Sequence, residues 1–223
     1  MFFLVPQAQE TEEVKQSVLD LIMKGGPMGV AIVGILLVLS VIAFYIFIER
    51  VMTIKKAGKV DQSFFNNIKT AVAAGNIEGA VAMCQSNNSP MSRMILKGLK
   101  RIGKPLRDID AAIENVGNLE LYKMEKNLST LASIAGAAPM IGFFGTVTGM
   151  IMAFYTMATE QNVTPDALAG GIYQALITTA FGLAIGIFAF VGYNYLVSLV
   201  DKVVFKMEQT SVEFMDLLQE PTD

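Results

Sequence analysis

Residues Ala132 to Phe154 read ASIAGAAPMIGFFGTVTGMIMAF, and the fold turns on how that stretch is understood. It holds no charge and is long enough to cross a bilayer. Yet it places glycine at Gly136, Gly142, Gly145 and Gly149 and hydroxyls at Ser133, Thr146 and Thr148. A helix that only faces lipid has no use for small and polar side chains, so the stretch is built for close helix contact or for lining a passage.

The whole chain agrees with a membrane setting. Its 223 residues are 53% hydrophobic and its mean hydropathy is +0.50, too apolar for an ordinary soluble domain. The net charge is only -3. The basic residues concentrate between two apolar segments, which reports topology and argues against a nucleic-acid surface. A single cysteine, Cys84, excludes an internal disulfide framework, and the absence of His removes the commonest metal ligand and the usual neutral-pH acid or base. Neither a metal, a cofactor nor an enzymatic activity is expected, since no nucleophile and base pair or phosphate loop is present either.

Taken in order, residues 1–26 are expected on the outer side of the membrane. MFFLVPQAQE reads either as the end of a signal peptide or as a short membrane-touching terminus. Val14, Val18, Leu21 and Ile22 then form the apolar face of a short amphipathic helix. Residues 27–48 are the first predicted span. Glu49 and Arg50 follow, with Lys55, Lys56 and Lys59 as a cationic collar on the cytoplasmic side. Residues 49–126 form a cytoplasmic region of three or four helices, punctuated at Gly75-Asn76, Ser86 to Pro90 and Gly103 to Pro105. Within it, Cys84 reads as core packing, with a reactive thiol as the alternative. Arg93, Lys97, Lys100, Arg101 and Lys104 recur every three or four residues, as a face near anionic headgroups or a face for an acidic partner.

From Asp108, a candidate N-cap, the helical pattern continues through Ile113, Val116, Leu121, Met124 and Leu128 without a turn signal. One continuous helix is therefore predicted to enter the second span, residues 127–158, with Pro139 as the site of a kink. Residues 159–166 make a short outer loop without Lys or Arg. Residues 167–199 are the third span and residues 200–223 a cytoplasmic helix and tail. The fold class is thus an all-α integral membrane protein with three transmembrane helices, two of them extending into a cytoplasmic helical region.

At 100° per residue, Gly142, Thr146, Gly149 and Ala153 share one face of the second span. Gly171, Ala175, Thr179, Gly182 and Gly186 share one face of the third, with Thr178 at its edge. Helix packing and pore lining both fit these stripes. No span contains Asp, Glu, Lys, Arg or His. Any proton or ion that passes must meet an ionisable group brought by another chain.

The run Ala138-Pro139, Gly142, Phe144-Gly145-Thr146-Val147 and Gly149-Met150 is followed in the third span by Gly171-Ile172, Ala175-Leu176, Thr179-Ala180, Gly182-Leu183 and Tyr193-Asn194. Together these runs resemble the ExbB/TolQ branch of the MotA/TolQ/ExbB proton-channel family, ExbB above all, and three spans rather than four favour that branch over MotA. The resemblance implies a homopentamer around single-span ExbD- or TolR-like helices whose membrane Asp carries the proton. It also implies a TonB- or TolA-like protein that receives the work. On this resemblance Thr146 and Thr179 line the proton pathway, with Thr178 and Gln174 as further candidates, while the small residues Gly142, Gly145, Gly149, Ala175, Gly182 and Gly186 are the candidates for packing helices. Two positions depart from the family: Gln174 stands where Glu is frequent, and Phe188 where Pro is.

Overall fold

The computed structural model describes residues 26–59, 62–159 and 165–219. The expected amphipathic helix before Lys24, most of the outer loop and the last four residues lie outside the described residues. The described elements are all helices: α1 Gly26–Ala57, α2 Gln62–Ala73, α3 Ile77–Ser86, α4 Pro90–Leu99, α5 Leu106–Glu125, α6 Leu128–Thr159 and α7 Pro165–Gln219. Three helical stretches, Pro27–Ala57, Leu106–Thr159 and Ala169–Gln219, are long and apolar enough to cross a membrane. The chain is therefore an all-α membrane protein. The four helices α2 to α5 fall at the upper end of the three or four expected between the first two spans.

The chain divides into two compact units. One comprises the described residues up to Leu37 together with Pro139–Leu183; the other comprises Val38–Ala138 and residues from Ala184 onward.

Within the second unit, the helices α2 to α5 are built by the rules of water-facing helices. Asn76 caps α3 by accepting the Gly79 N–H at 2.9 Å. Ser89 caps α4 by accepting the Ser92 N–H at 3.2 Å, with Pro90 opening the helix. Gly75 takes a φ of 70°, the left-handed turn that ends α2. Ile54, Ile68, Ala80, Cys84, Ile95, Ile113, Leu196 and Phe214 are buried in the core. A Cβ at Gly98 would lie 2.7 Å from the Phe214 ring and 2.8 Å from Ile113, so glycine lets α4 close on both. Burial pushes the Cys84 thiol up to about 11, which fits core packing and not a reactive thiolate.

Glu120, on α5, is buried, which disfavours its charge. The hydrogen bonds it accepts from Arg93, at 2.9 and 2.6 Å, and from Lys123, at 2.7 Å, outweigh burial and hold its carboxyl below the usual carboxylate value.

Two sequence expectations are corrected here. The helix entering the second span is not continuous: α5 ends at Glu125, Lys126 is extended, and Asn127 takes a φ of 64° before α6 begins. Asparagine tolerates the left-handed region, so one residue of ordinary composition supplies a break that no Gly or Pro announces. Asp108 lies in the first turn of α5, whose N-cap is Pro105. Arg50, which precedes the cationic collar, turns inward. It is buried, pairs with Glu49, and donates from Nη1 to the Lys123 carbonyl at 2.9 Å, satisfying one of the free carbonyls in the last turn of α5.

Phe188 stacks on Phe44 with ring centroids 4.0 Å apart and meets Phe47 edge-on at 5.5 Å. The residue that replaces the family proline thus joins α7 to α1 through an aromatic cluster, within a helix that runs unbroken through Phe188.

Candidate functional site

The first unit contains the opening stretch of sequence from Pro139 onward. Contacts between α6 and α7 run in opposite numerical order, so the two helices are antiparallel. A Cβ at Gly142 would lie 2.7 Å from the Thr178 carbonyl oxygen and 3.0 Å from Gly182 Cα. One at Gly145 would lie 2.7 Å from Thr178 Cβ, and one at Gly149 2.9 Å from Ala175 Cβ. The missing side chains are what let the backbones meet. Gly171 continues the seam against Ala153, where its Cβ would come within 3.1 Å. Gly186 is buried too.

The hydroxyls lie along this seam. Thr146 and Thr179, both half-buried, bond to each other side chain to side chain. Thr146 Oγ1 also lies 3.1 Å from the Ala175 carbonyl, and Thr179 Oγ1 lies 2.9 Å from that of Gly142. Each hydroxyl has one proton to donate, so two protons serve three contacts, and any two can be made at once. The pair keeps acceptor capacity for a further donor and can exchange which carbonyl it serves. It has no group that titrates near neutral pH, so it can orient or relay a proton but not hold a charge.

The remaining predicted pathway residues sit differently. Thr178 is fully buried, donating to the Ala175 carbonyl at 2.8 Å and lying 3.3 Å from that of Gly142. Gln174 is buried with its amide packed directly on Gly29 of α1, and its Nε2 has no hydrogen-bond partner. Of the four, the structure brings Thr146 and Thr179 together as a pair and places Thr178 and Gln174 in helix contacts.

Thr146 has a second surface. It stands at one end of an open groove of about 610 Å³ whose other walls are Val147, Met150, Ile151, Phe154 and Tyr155. Val147 and Met150 entered only as motif residues, and Ile151, Phe154 and Tyr155 were not singled out from the sequence. Their spacing of three and four marks a helical face beside the small-residue stripe, and that periodicity was the available signal. Nor was Gly29, whose role depends on a partner far away in sequence. An apolar groove with the Thr146 hydroxyl at one end, itself bonded to Thr179, suits a membrane helix that carries one polar group.

A sequence model of the MotA/TolQ/ExbB proton channel family matches residues 86–209. The chain is 32% identical to a protein of Methanothermobacter thermautotrophicus named as a biopolymer transport protein ExbB homologue, over 86% of this chain and 67% of that protein. It is 26% identical to the Tol-Pal system protein TolQ of Haemophilus influenzae, over 80% of this chain and 83% of the relative. To the biopolymer transport protein ExbB of Neisseria meningitidis it is 24% identical, over 77% and 83% respectively.

Proposed function

Because the chain belongs to the MotA/TolQ/ExbB proton channel family, we propose that it is the channel-wall subunit of an inner-membrane energy-transducing motor of the ExbB type. Its partner is a single-span ExbD- or TolR-like protein whose membrane Asp supplies the ionisable group that this chain's spans lack. Several copies of this chain, five by family resemblance, surround the partner helices. Proton flow past the Asp does mechanical work, which a TonB-like protein passes to outer-membrane transport. A TolQ-type role, with a TolA-like recipient and envelope maintenance as the output, is the related reading. The N-terminus lies in the periplasm and the C-terminus in the cytoplasm, as the distribution of Lys and Arg requires.

The observation that carries this proposal is the Thr146 and Thr179 pair, of which Thr146 stands at the end of an apolar groove. A partner carboxylate lying there meets hydroxyls that can donate to its charged form and accept from its protonated form. Both states are then hydrogen-bonded inside the membrane, where an unsatisfied charge is costly.

A non-conducting scaffold is the second reading. It is favoured by the way every hydroxyl on the seam also reaches a backbone carbonyl, as in ordinary helix packing. Disulfide trapping separates occupied groove from bare packing surface. With a cysteine beside the partner's membrane Asp, Met150→Cys and Ile151→Cys should cross-link in cells, and Val41→Cys on the exposed face of α1 should not. Cross-linking that ignores these positions would remove the groove from the proton route.

A further inference from the structure

We propose that the basic turn between α4 and α5 is a docking site for an acidic, partly apolar segment of a partner protein, held clear of the bilayer. Lys97, Lys100, Lys104 and Arg107 are exposed there, and Arg101 is half-buried. Among the described residues none of the five makes an ion pair. Arg101 donates only to the Asp108 carbonyl, at 3.2 Å. With a net charge of -3 for the whole chain, this is a local concentration and not a general basic character.

Local structure accounts for part of the cluster. Lys97 and Lys100 complement the C-terminal end of α4. Arg107 does the opposite: it sits in the first turn of α5, beside the helix's positive end, where Asp108 is the favourable charge. Ile102 and Leu106 are 37% and 40% exposed in the same turn. Unpaired cations around two exposed apolar side chains suit a segment that brings carboxylates and apolar groups together.

Position decides between lipid and protein. Met91 of α4 meets Thr210 of α7, and Gly98 meets Phe214, so α4 runs along α7 toward the C-terminal end of that helix. On α7 the hydrocarbon must end at or before Asp201, the first charge after the apolar run. At 1.5 Å per residue, Phe214 lies about 20 Å farther along the helix. Headgroups occupy roughly 5–8 Å of that distance, and screening removes most of the remainder over about 8 Å. The headgroup reading of this basic run therefore gives way to the acidic-partner reading.

The test uses the full chain with its single-span partner in phosphatidylcholine nanodiscs and a fluorescent peptide alternating glutamate and leucine, followed by anisotropy at physiological salt. Saturable binding is expected, weakened at least about tenfold by the combined Lys100→Glu, Lys104→Glu and Arg107→Glu variant. The collar variant Lys55→Glu with Lys56→Glu should bind as the parent does, and Ile102→Ser should bind more weakly. Equal binding by the triple variant would overturn the proposal. So would quenching of a dye at Ile102→Cys by brominated lipid in phosphatidylglycerol-rich nanodiscs, which would make the membrane the occupant. Binding that rises about tenfold once the residues after Gln219 are removed would make the chain's own acidic tail the occupant. None of these readouts depends on proton flux.

Discussion

Two regions of this chain, the helices α2 to α5 and the seam between α6 and α7, solve the packing problem in different solvents. Around α2 to α5, helices are capped by Asn76 and Ser89, and large side chains such as Phe214 and Ile113 fill the core. A buried carboxylate, Glu120, is held by two cations. Where α6 meets α7 at Gly142, Gly145 and Gly149, there is no charge, and backbone approaches backbone through missing side chains. Water supplies a hydrophobic drive that rewards bulk; lipid supplies none between helices, so contact area and hydroxyl bonds must do the joining. Thr146 and Thr179 belong to that second economy of contact, and a hydroxyl that packs helices is also available to a passing proton.

The contrast predicts opposite responses to changes of size. Phe214→Ala should destabilise the packing around α2 to α5 by about 3–5 kcal/mol, read by denaturation in detergent, because a buried aromatic leaves a cavity. Gly142→Leu should do the reverse damage, costing roughly 1–3 kcal/mol or more by overpacking, since the nearest obstacle is the Thr178 carbonyl and not a movable side chain. Oligomer size on gel filtration would show it as lost assembly.

Smaller effects sharpen the boundary between the two styles. Asn127→Val should cost about 1–2 kcal/mol, because a β-branched residue resists the left-handed conformation that separates α5 from α6, and Asn127→Gly should be nearly silent. The least effect belongs to Glu120. Its folded carboxyl titrates below its unfolded value of 4.5. Its contribution is therefore present above pH 4.5 and is lost as pH falls through the lower folded value. Because Arg93 and Lys123 are partly exposed, the amount is about 1 kcal/mol or less. In Glu120→Gln, the acid limb of a stability profile should flatten by that amount.

How much of this was legible in the sequence follows from the same contrast. Uncharged runs announced three helices long and apolar enough to cross a membrane, and turn residues announced most helix ends, because charge in lipid and unsatisfied backbone are expensive anywhere in a chain. The stripes of Gly142, Gly149, Ala175 and Gly182 were legible because helical period puts them on one face. The break at Asn127 was not, since left-handed asparagine leaves no pattern beyond its own identity. Gln174 on Gly29, Arg50 on the end of α5 and Phe188 on Phe44 were equally hidden. Each joins residues remote in sequence, and periodicity within one helix says nothing about which other helix lies opposite.

The central claim is that the Thr146 and Thr179 pair serves a partner's charge as well as packing α6 on α7. Partner-dependent proton flux in proteoliposomes containing the double variant Thr146→Val with Thr179→Val tests it most directly, since valine keeps the shape and removes both hydroxyls. Interhelical hydroxyl bonds in membranes average about 0.6 kcal/mol, so assembly should survive. The account predicts a normal oligomer whose flux falls at least about tenfold, near the scale of proton-transfer contributions. A normal oligomer with undiminished flux would contradict it and leave the pair as packing alone.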